Sequence, residues 1–290
     1  MSRQTAGSSS SGKDVIDVVE DFAYPLPVTV ICRLLGVPHA DVPEIRGWTD
    51  EIIASVDLTP GSDEEGRRAT GLEARQAMGA YLGDLADKRR DDPADDMLSA
   101  LVHDSGPDGP LTKTELMATA TLLLIAGHET TVNLITNGVL TLLRRPAAFR
   151  QLREHPELMP GAVEELLRYE PPVHLLPQRT PLADVEVSDV TIPRGVPLIL
   201  VLASGNRDPR RFDHPDRFDP ARQDNQHFGF GSGVHNCFGA PLARLEAQLA
   251  LRAALPRIEG FQLTEDPPPY RRSPILRGPR HLRIERVSGP

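Results

Sequence analysis

The sequence predicts a mainly α-helical protein with a small β region, a fold of the α+β class, on three observations. Helical spacing of apolar residues covers most of the chain up to residue 170, and its longest stretch runs over about 112–145. After residue 171, prolines and glycines interrupt the chain, and short β-branched segments replace the helical pattern. A glycine-rich stretch with a cysteine, 230–239, then precedes the last helical pattern at 241–255.

Length and composition restrict the class of protein. The chain has 290 residues, of which 39% are hydrophobic and 25% charged, as is ordinary for a globular protein with a substantial core. A formal net charge of −9 gives no electrostatic support for binding nucleic acid, and no apolar run is long enough to span a membrane. Two cysteines make no disulfide framework, so a reducing cytoplasm is the simplest compartment.

The chain is expected to form one domain over 14–290. Residues 1–13 are rich in serine and lack an apolar signal core, so we expect a disordered leader or a remnant of truncation there. Before the central helix, helices are expected from 14 to a proline break at 25–27, and then over 28–35, 41–57, 64–90 and 95–103.

The central helix at 112–145 opens with a capping-box pattern, Thr112 to Glu115, and stops before Pro146. A further helix is expected at 156–170, and a long irregular coil over 206–220 precedes the cysteine stretch. Short strands are expected at 173–176, 185–187, 190–192, 197–201, 257–263 and 281–286.

The cysteine stretch has the features of a chemically active loop. Its glycines allow tight turns and close approach of a ligand, and Cys237 comes just before a helix, whose positive N-terminal end favours thiolate over thiol. Such a thiolate is suited to a soft metal ligand or a nucleophile. From the residues alone, Cys237 could equally be a small buried hydrophobic residue.

The middle of the central helix carries a second unusual segment, Ala126 to Thr131. Gly127 weakens the helix, and Thr130 can hydrogen-bond back to a carbonyl one turn earlier, which together favour a local bulge or kink. Glu129 beside Thr130 could then hand protons inward. The alternative is a simple kink with Glu129 facing solvent.

Four separated features, in this order along the chain, resemble the soluble bacterial cytochromes P450, which are haem-thiolate monooxygenases. Residues 126–131 resemble the oxygen-activation motif of that family. Glu165 and Arg168 resemble its glutamate–arginine pair, and the coil around Arg217 resembles the segment that adds a third side chain to that pair. The cysteine stretch resembles the haem-binding signature at Phe230, Gly231, Gly233, His235, Cys237 and Gly239. His227 and residues 240–246 resemble the bacterial branch.

The resemblance implies a haem b site and a role for each matching residue. Cys237 would be the axial ligand of the haem iron, Phe230 would shield its sulfur, and His235 and Arg179 would bind the propionates. Gly127 and Thr130 would form the groove for O₂, and Ala126 and Gly127 would contact the cofactor. Glu129 and Thr130 would deliver protons during oxygen activation, whereas Glu165, Arg168 and Arg217 would form a structural network.

The implied activity is the hydroxylation or epoxidation of a hydrophobic small molecule, in secondary metabolism. Electrons would come from NAD(P)H through a ferredoxin or flavodoxin and its reductase, and Arg244 and Arg252 would help to dock that partner. Residues 173–176 and the helix at 41–57 would line the substrate pocket. The chain lacks the N-terminal quarter of the family fold, so two alternatives stay open: a non-catalytic accessory protein, for example to a glycosyltransferase, and an inactive fragment.

Overall fold

Most helices and strands lie close to the predicted ones, but the first segments differ, and a helix at Pro146–Glu154 was not predicted. A computed structural model describes residues 15–56, 63–106 and 109–287, so the leader expected at 1–13 lies outside the described residues. The helices are α1 (Pro25–Leu35), α2 (Val42–Ala54), α3 (Glu64–Asp91), α4 (Met97–His103), α5 (Lys113–Leu143), α6 (Pro146–Glu154), α7 (Met159–Tyr169), α8 (Leu202–Gly205) and α9 (Ala240–Ala254). The strands are β1 (Val15–Asp17), β2 (Leu175–Arg179), β3 (Val185–Val187), β4 (Val190–Ile192), β5 (Leu198–Val201), β6 (Phe261–Leu263) and β7 (Arg283–Arg286).

Helix α5 is the central element and joins two hydrophobic cores. The predicted capping box is confirmed, because the Thr112 side chain accepts the Glu115 N–H and the Glu115 carboxylate accepts the Thr112 N–H. The first half of α5 packs into a core with α1, α3 and α4, and its second half into a core with α7 and α9. Residues 126–131 lie between the two cores, and the α-helix continues through them without the interruption expected for a bulge.

The helix predicted from residue 14 is wrong at its start. Val15–Asp17 is a strand that pairs antiparallel with β7, and β7 pairs in turn with β6. The Asp17 carboxylate fixes this pairing, because Oδ1 accepts the Leu282 N–H at 3.1 Å and Oδ2 lies 2.8 Å from His281 Nδ1. This long-range pairing overrides the local helical pattern.

Proline also acts differently from the prediction in the next segment. The expected break at 25–27 is the first turn of α1, where proline needs no intrahelical N–H partner and its fixed φ suits a helix. Gly36 ends α1 in the left-handed conformation, with φ of 77°. None of the helices in the described part of the chain is long and apolar enough to cross a membrane.

The strands after α7 form two small antiparallel ladders, β2 with β5 and β3 with β4. They carry apolar side chains that are largely exposed, for example Ile199 at 63% and Val190 at 62%. The β2–β5 ladder brings Arg179, at the end of β2, to the rim of the cavity described below.

Candidate active site

The cysteine loop is a tight turn that presents its thiol outward. Gly231 and Gly233 have φ of 71° and 66°, a region that disfavours residues with a Cβ. The Cys237 N–H donates to the Phe230 carbonyl at 3.0 Å, which closes the loop, and α9 begins three residues later with Pro241 in its first turn. The Cys237 thiol is exposed. The loop therefore offers a free sulfur beside a helix N-terminus, as predicted.

A cavity of about 410 Å³ lies between this loop, α5, α9 and β2. Most of the predicted site residues line it, namely Ala126, Gly127, Thr130, Arg179, Phe230, Gly231, His235, Cys237 and Gly239. Gly233 and Glu129 do not. Gly233 serves the turn of the loop, and Glu129 projects from a different side of α5.

The apolar walls of the cavity differ in part from the predicted ones. Val173 and Leu176 line it as expected, but no residue of α2 does, and Ile31 and Leu34 of α1 lie there instead. Helix α1 packs so closely on α5 that a Cβ on Gly127 would lie 2.9 Å from Ile31 Cδ1. Gly127 is thus required for helix packing as well as for an open cavity wall.

Thr130 has its hydroxyl in the cavity wall. Its Oγ1 donates to the Ala126 carbonyl at 2.9 Å, the back-bond expected from the sequence. Because the hydroxyl proton is used within the helix, the oxygen lone pairs can accept a hydrogen bond from a group in the cavity.

Glu129 is buried behind the cavity wall. The residue is only 1% exposed, which excludes the alternative of a kink with Glu129 in solvent. Its Oε1 lies 3.2 Å from Arg271 Nη1, an arginine of the C-terminal segment that the sequence reasoning missed. The carboxylate must therefore turn away from Arg271 before it could serve the cavity.

Glu246 on α9 is a cavity residue that the sequence reasoning also missed. It is 4% exposed, and within residues 15–56, 63–106 and 109–287 neither carboxyl oxygen has a hydrogen-bond partner. Burial raises the pKa of Glu246 from its ordinary value of 4.5 to about 7. The spacing of Leu242, Ala243 and Glu246 on one helix face was the available signal, since all three line the cavity.

The glutamate–arginine pair of α7 is fully buried and forms the expected network, with one correction. Arg168 Nε and Nη2 donate to Glu165 Oε2 and Oε1, both at 2.8 Å. The third side chain is Arg222, whose Nε donates to Glu165 Oε2 at 3.0 Å, and not Arg217. The chain reverses after Asp219, whose N–H also donates to Glu165, and this turn brings Arg222 back over the carboxylate.

Arg217 takes part in the network through its backbone. Its carbonyl accepts from Arg168 Nη2 at 3.1 Å, and the other guanidinium nitrogen of Arg168, Nη1, donates to the carbonyls of Asn206 and Pro215. Arg168 therefore ties the long coil, which has little backbone pairing of its own, to α7.

The two arginines expected on a docking surface are both on α9. Arg244 is committed to an internal ion pair with Glu164, in which Nε donates to Oε1 at 2.7 Å and Nη2 to Oε2 at 2.9 Å. Arg252 Nη2 donates to the Pro156 carbonyl at 3.4 Å from an exposed position. Of this pair, Arg252 is the more available to a partner.

The residues of the cavity fit a haem group. The volume lies in the range typical of cofactor pockets, about 300–1,000 Å³, and most of the lining is apolar. A soft sulfur ligand is exposed in one wall, and Arg179 and His235 provide nitrogen donors for two carboxylates at the edge. The combination suits a flat apolar ring with an iron centre and acidic side chains.

Comparisons with known proteins agree with this chemistry. A sequence profile described as Cytochrome P450 matches residues 68–285. The chain is 44% identical to the cytochrome P450 monooxygenase PikC of Streptomyces venezuelae and 42% identical to the mycinamicin IV hydroxylase/epoxidase of Micromonospora griseorubida, each over 271 residues. These alignments cover 92% of this chain and 63% and 66% of the two relatives, respectively.

The fold agrees as well. The cytochrome P450 PksS of the bacillaene polyketide synthase from Bacillus subtilis 168 superposes with a TM-score of 0.87 at 35% identity, over 95% of this chain and 70% of that one. The predicted P450-like α+β fold is thus confirmed, and the chain spans roughly two thirds of the length of these relatives. With its profile match, its relatives and its cysteine loop, the chain belongs to the cytochrome P450 family.

Proposed function

We propose that this chain carries the haem-binding and oxygen-activating part of a monooxygenase that hydroxylates or epoxidises a hydrophobic small molecule in secondary metabolism. The observation that carries the proposal is one cavity with the exposed Cys237 thiol in one wall and Gly127 and Thr130 in another. The named activities of PikC, a monooxygenase, and of the mycinamicin IV hydroxylase/epoxidase support it.

In this proposal the chain's own residues hold the cofactor. Cys237 Sγ would bind the iron, and Arg179 and His235 would bind the two propionate groups. Phe230 and Gly239 flank the sulfur, with the position of a Cβ on Gly239 only 3.8 Å from Sγ. When bound, the haem supplies the iron chemistry that activates O₂ for insertion of one oxygen atom into the substrate.

Proton delivery is the task of the polar groups around the cavity. Thr130 Oγ1 accepts a hydrogen bond in the cavity while its own O–H continues to donate to the Ala126 carbonyl. Burial raises the pKa of Glu246 to about 7, so this carboxyl group at the cavity wall can take up and release a proton near neutral pH. Glu129 relays a second proton once its carboxylate has left Arg271 and has taken up a proton from water.

The cavity lining supports the proposed class of substrate, and the exposed surface of α9 supports the proposed electron donor. The walls formed by Ile31, Leu34, Val173 and Leu176 favour an apolar molecule. Electrons are expected from NAD(P)H through a reductase and a ferredoxin or flavodoxin, whose acidic surface would meet the exposed Arg252 on α9.

The test is the spectrum of the reduced protein with carbon monoxide. Wild type is expected to take up haem and to show the red-shifted Soret band of a thiolate-ligated iron, and Cys237→Ser is expected to lose that band. Cys32→Ser is the matched control, because Cys32 is buried in the α1–α5 core and should leave the spectrum unchanged. A wild-type protein that takes up no haem would favour the accessory or fragment alternative, and a thiolate band in Cys237→Ser would refute the ligand assignment.

A further inference from the structure

A second charged cluster lies beside the cysteine loop and has no role in the function proposed above. It consists of Glu164 on α7, Arg244 on α9 and His227 in the coil before the loop, and we call it the α7–α9 clamp. Glu164 is the sequence neighbour of Glu165, but its carboxylate points to a different set of partners.

The clamp has the geometry of a bidentate ion pair with an added histidine. Arg244 binds both carboxylate oxygens of Glu164 at 2.7 and 2.9 Å, and His227 Nε2 lies 3.1 Å from Glu164 Oε2. His227 Nδ1 accepts the Gly229 N–H at 2.9 Å, so the ring proton must be on Nε2 and is donated to Glu164. All three side chains are thus fixed in orientation.

Glu164 and Arg244 keep their charges over the whole neutral pH range. Burial alone would raise the pKa of Glu164, but the hydrogen bonds from His227 and Arg244 and the positive charge of Arg244 outweigh it and lower that pKa to about 2. The bond to Glu164 raises the pKa of Arg244 in turn. Glu164 and Arg244 therefore form an ion pair throughout the neutral pH range.

The clamp reaches the cysteine through an aromatic ring. The Arg244 guanidinium carbon lies 4.6 Å from the centroid of the Phe230 ring, and the His227 ring centroid lies 6.2 Å from the same ring. Phe230 is joined to Cys237 by the hydrogen bond from the Cys237 N–H to its carbonyl. The contacts run without a gap from α7 through Arg244 and Phe230 to the thiol-bearing residue.

We propose that Arg244, held by Glu164 and stacked on Phe230, is a positioning residue that fixes the cysteine loop and so the place of the Cys237 sulfur. The proposal rests on the proposed function only in taking that sulfur as the iron ligand. Arg244 thereby has an internal task that differs from docking a redox partner.

The first experiment needs no haem. Hydrogen exchange of the loop amides at residues 229–239 is compared between wild type, Arg244→Gln and Arg252→Gln, the last being a matched control on the same helix. We expect about tenfold faster exchange at the loop in Arg244→Gln only, since one lost charged contact of this kind is worth roughly one power of ten. Exchange in α5 should stay unchanged in all three proteins.

The second experiment uses the haem-loaded protein and its spectrum with carbon monoxide. Arg244→Gln and Phe230→Leu are expected to bind haem about tenfold more weakly and to convert faster from the thiolate-type band to the blue-shifted band of a displaced sulfur. Arg244→Lys, which keeps the charge but loses the planar contact, should be intermediate. The double variant Glu164→Gln/Arg244→Gln should match the Arg244→Gln single variant, because both members act as one unit.

The outcomes separate the two proposals. If wild type binds no haem, the proposed function fails, and the exchange experiment still decides whether the clamp holds the loop. Wild-type exchange in Arg244→Gln would overturn the inference, as would additive effects of the two substitutions. If Arg244→Gln does not fold, Phe230→Leu tests the same contact from the loop side, and unchanged exchange and spectrum in that variant overturn it equally.

Discussion

Replacing the buried acid Glu246 by glutamine should remove a pH dependence from the stability of the protein. Burial raises the pKa of Glu246 from 4.5 to about 7 in the folded chain, so the folded state binds its proton more tightly than the unfolded state does. The stabilisation from this proton is complete below about pH 4.5 and is lost as pH rises through 7. A shift of this size corresponds to about 3 kcal/mol, an upper value because the carboxyl group borders an open cavity.

The assay is chemical denaturation of wild type and Glu246→Gln at a series of pH values from 4.5 to 8.5. The free energy of unfolding of wild type, measured relative to the variant, is expected to fall by about 2–3 kcal/mol across this range, because the variant has no proton to lose. Glu73→Gln, at an exposed position of α3, is the matched control and should follow wild type. Parallel curves for wild type and Glu246→Gln would refute the assignment of a buried neutral acid.

Three further substitutions test other parts of the site. Gly127→Ala places a Cβ 2.9 Å from Ile31 Cδ1 and should lower the free energy of unfolding in denaturant by about 1–3 kcal/mol. The double variant with Ile31→Val should recover part of that loss, and an unchanged stability of Gly127→Ala would contradict the close packing of α1 on α5. Arg168→Met leaves Arg222 as the only arginine on the fully buried carboxylate of Glu165 and removes the donor to three carbonyls of the coil. It should cost about 3–5 kcal/mol, measured the same way, and an effect below about 1 kcal/mol would mean that the coil does not depend on Arg168. Thr130→Val keeps the shape of the side chain, so its melting temperature should stay near that of wild type. With haem and a reductase system, however, it should consume NAD(P)H with little product, whereas Thr130→Ser should form product in proportion to the NAD(P)H consumed. Product formation by Thr130→Val in the same proportion would exclude a role for the hydroxyl in proton delivery.

Local signals in the sequence were sufficient for two elements of the site, helix α5 and the cysteine loop. The capping box at Thr112 and the apolar pattern that follows it define the start of α5, and the glycines around Cys237 define the loop, because each depends on a few neighbouring residues. The cavity brings Cys237 and Thr130 to its walls, as the resemblance to the family implied.

The parts that were missed depend on contacts between distant segments. Strand β1 forms because residues 15–17 pair with β7 at the other end of the chain, and the local sequence pattern does not predict that pairing. Arg222 replaces Arg217 because the coil turns back at Asp219, a detail of irregular backbone that spacing along the sequence does not encode. The Arg271–Glu129 ion pair likewise joins the C-terminal segment to α5.

Two adjacent carboxylates on α7 explain how an irregular segment can hold a ligand with precision. Successive residues of an α-helix point about 100° apart, so Glu165 faces Arg168 and the coil while Glu164 faces the α7–α9 clamp. The segment between α8 and α9 has few ladder or helix hydrogen bonds of its own, and both networks end on it, one upstream of the loop and one at Phe230. Helix α7 is packed in one core with α5 and α9. In the proposed arrangement, the charged side chains on α7 connect that core to the coil and the loop, and so hold Cys237 in place. Loss of the Glu164 carboxylate should therefore disturb the loop while leaving the packing of α5 intact, whereas loss of the fully buried Glu165 carboxylate should also lower the stability of the whole chain. Glu164 thus allows the proposed iron ligation to be tested separately from the stability of the helical core.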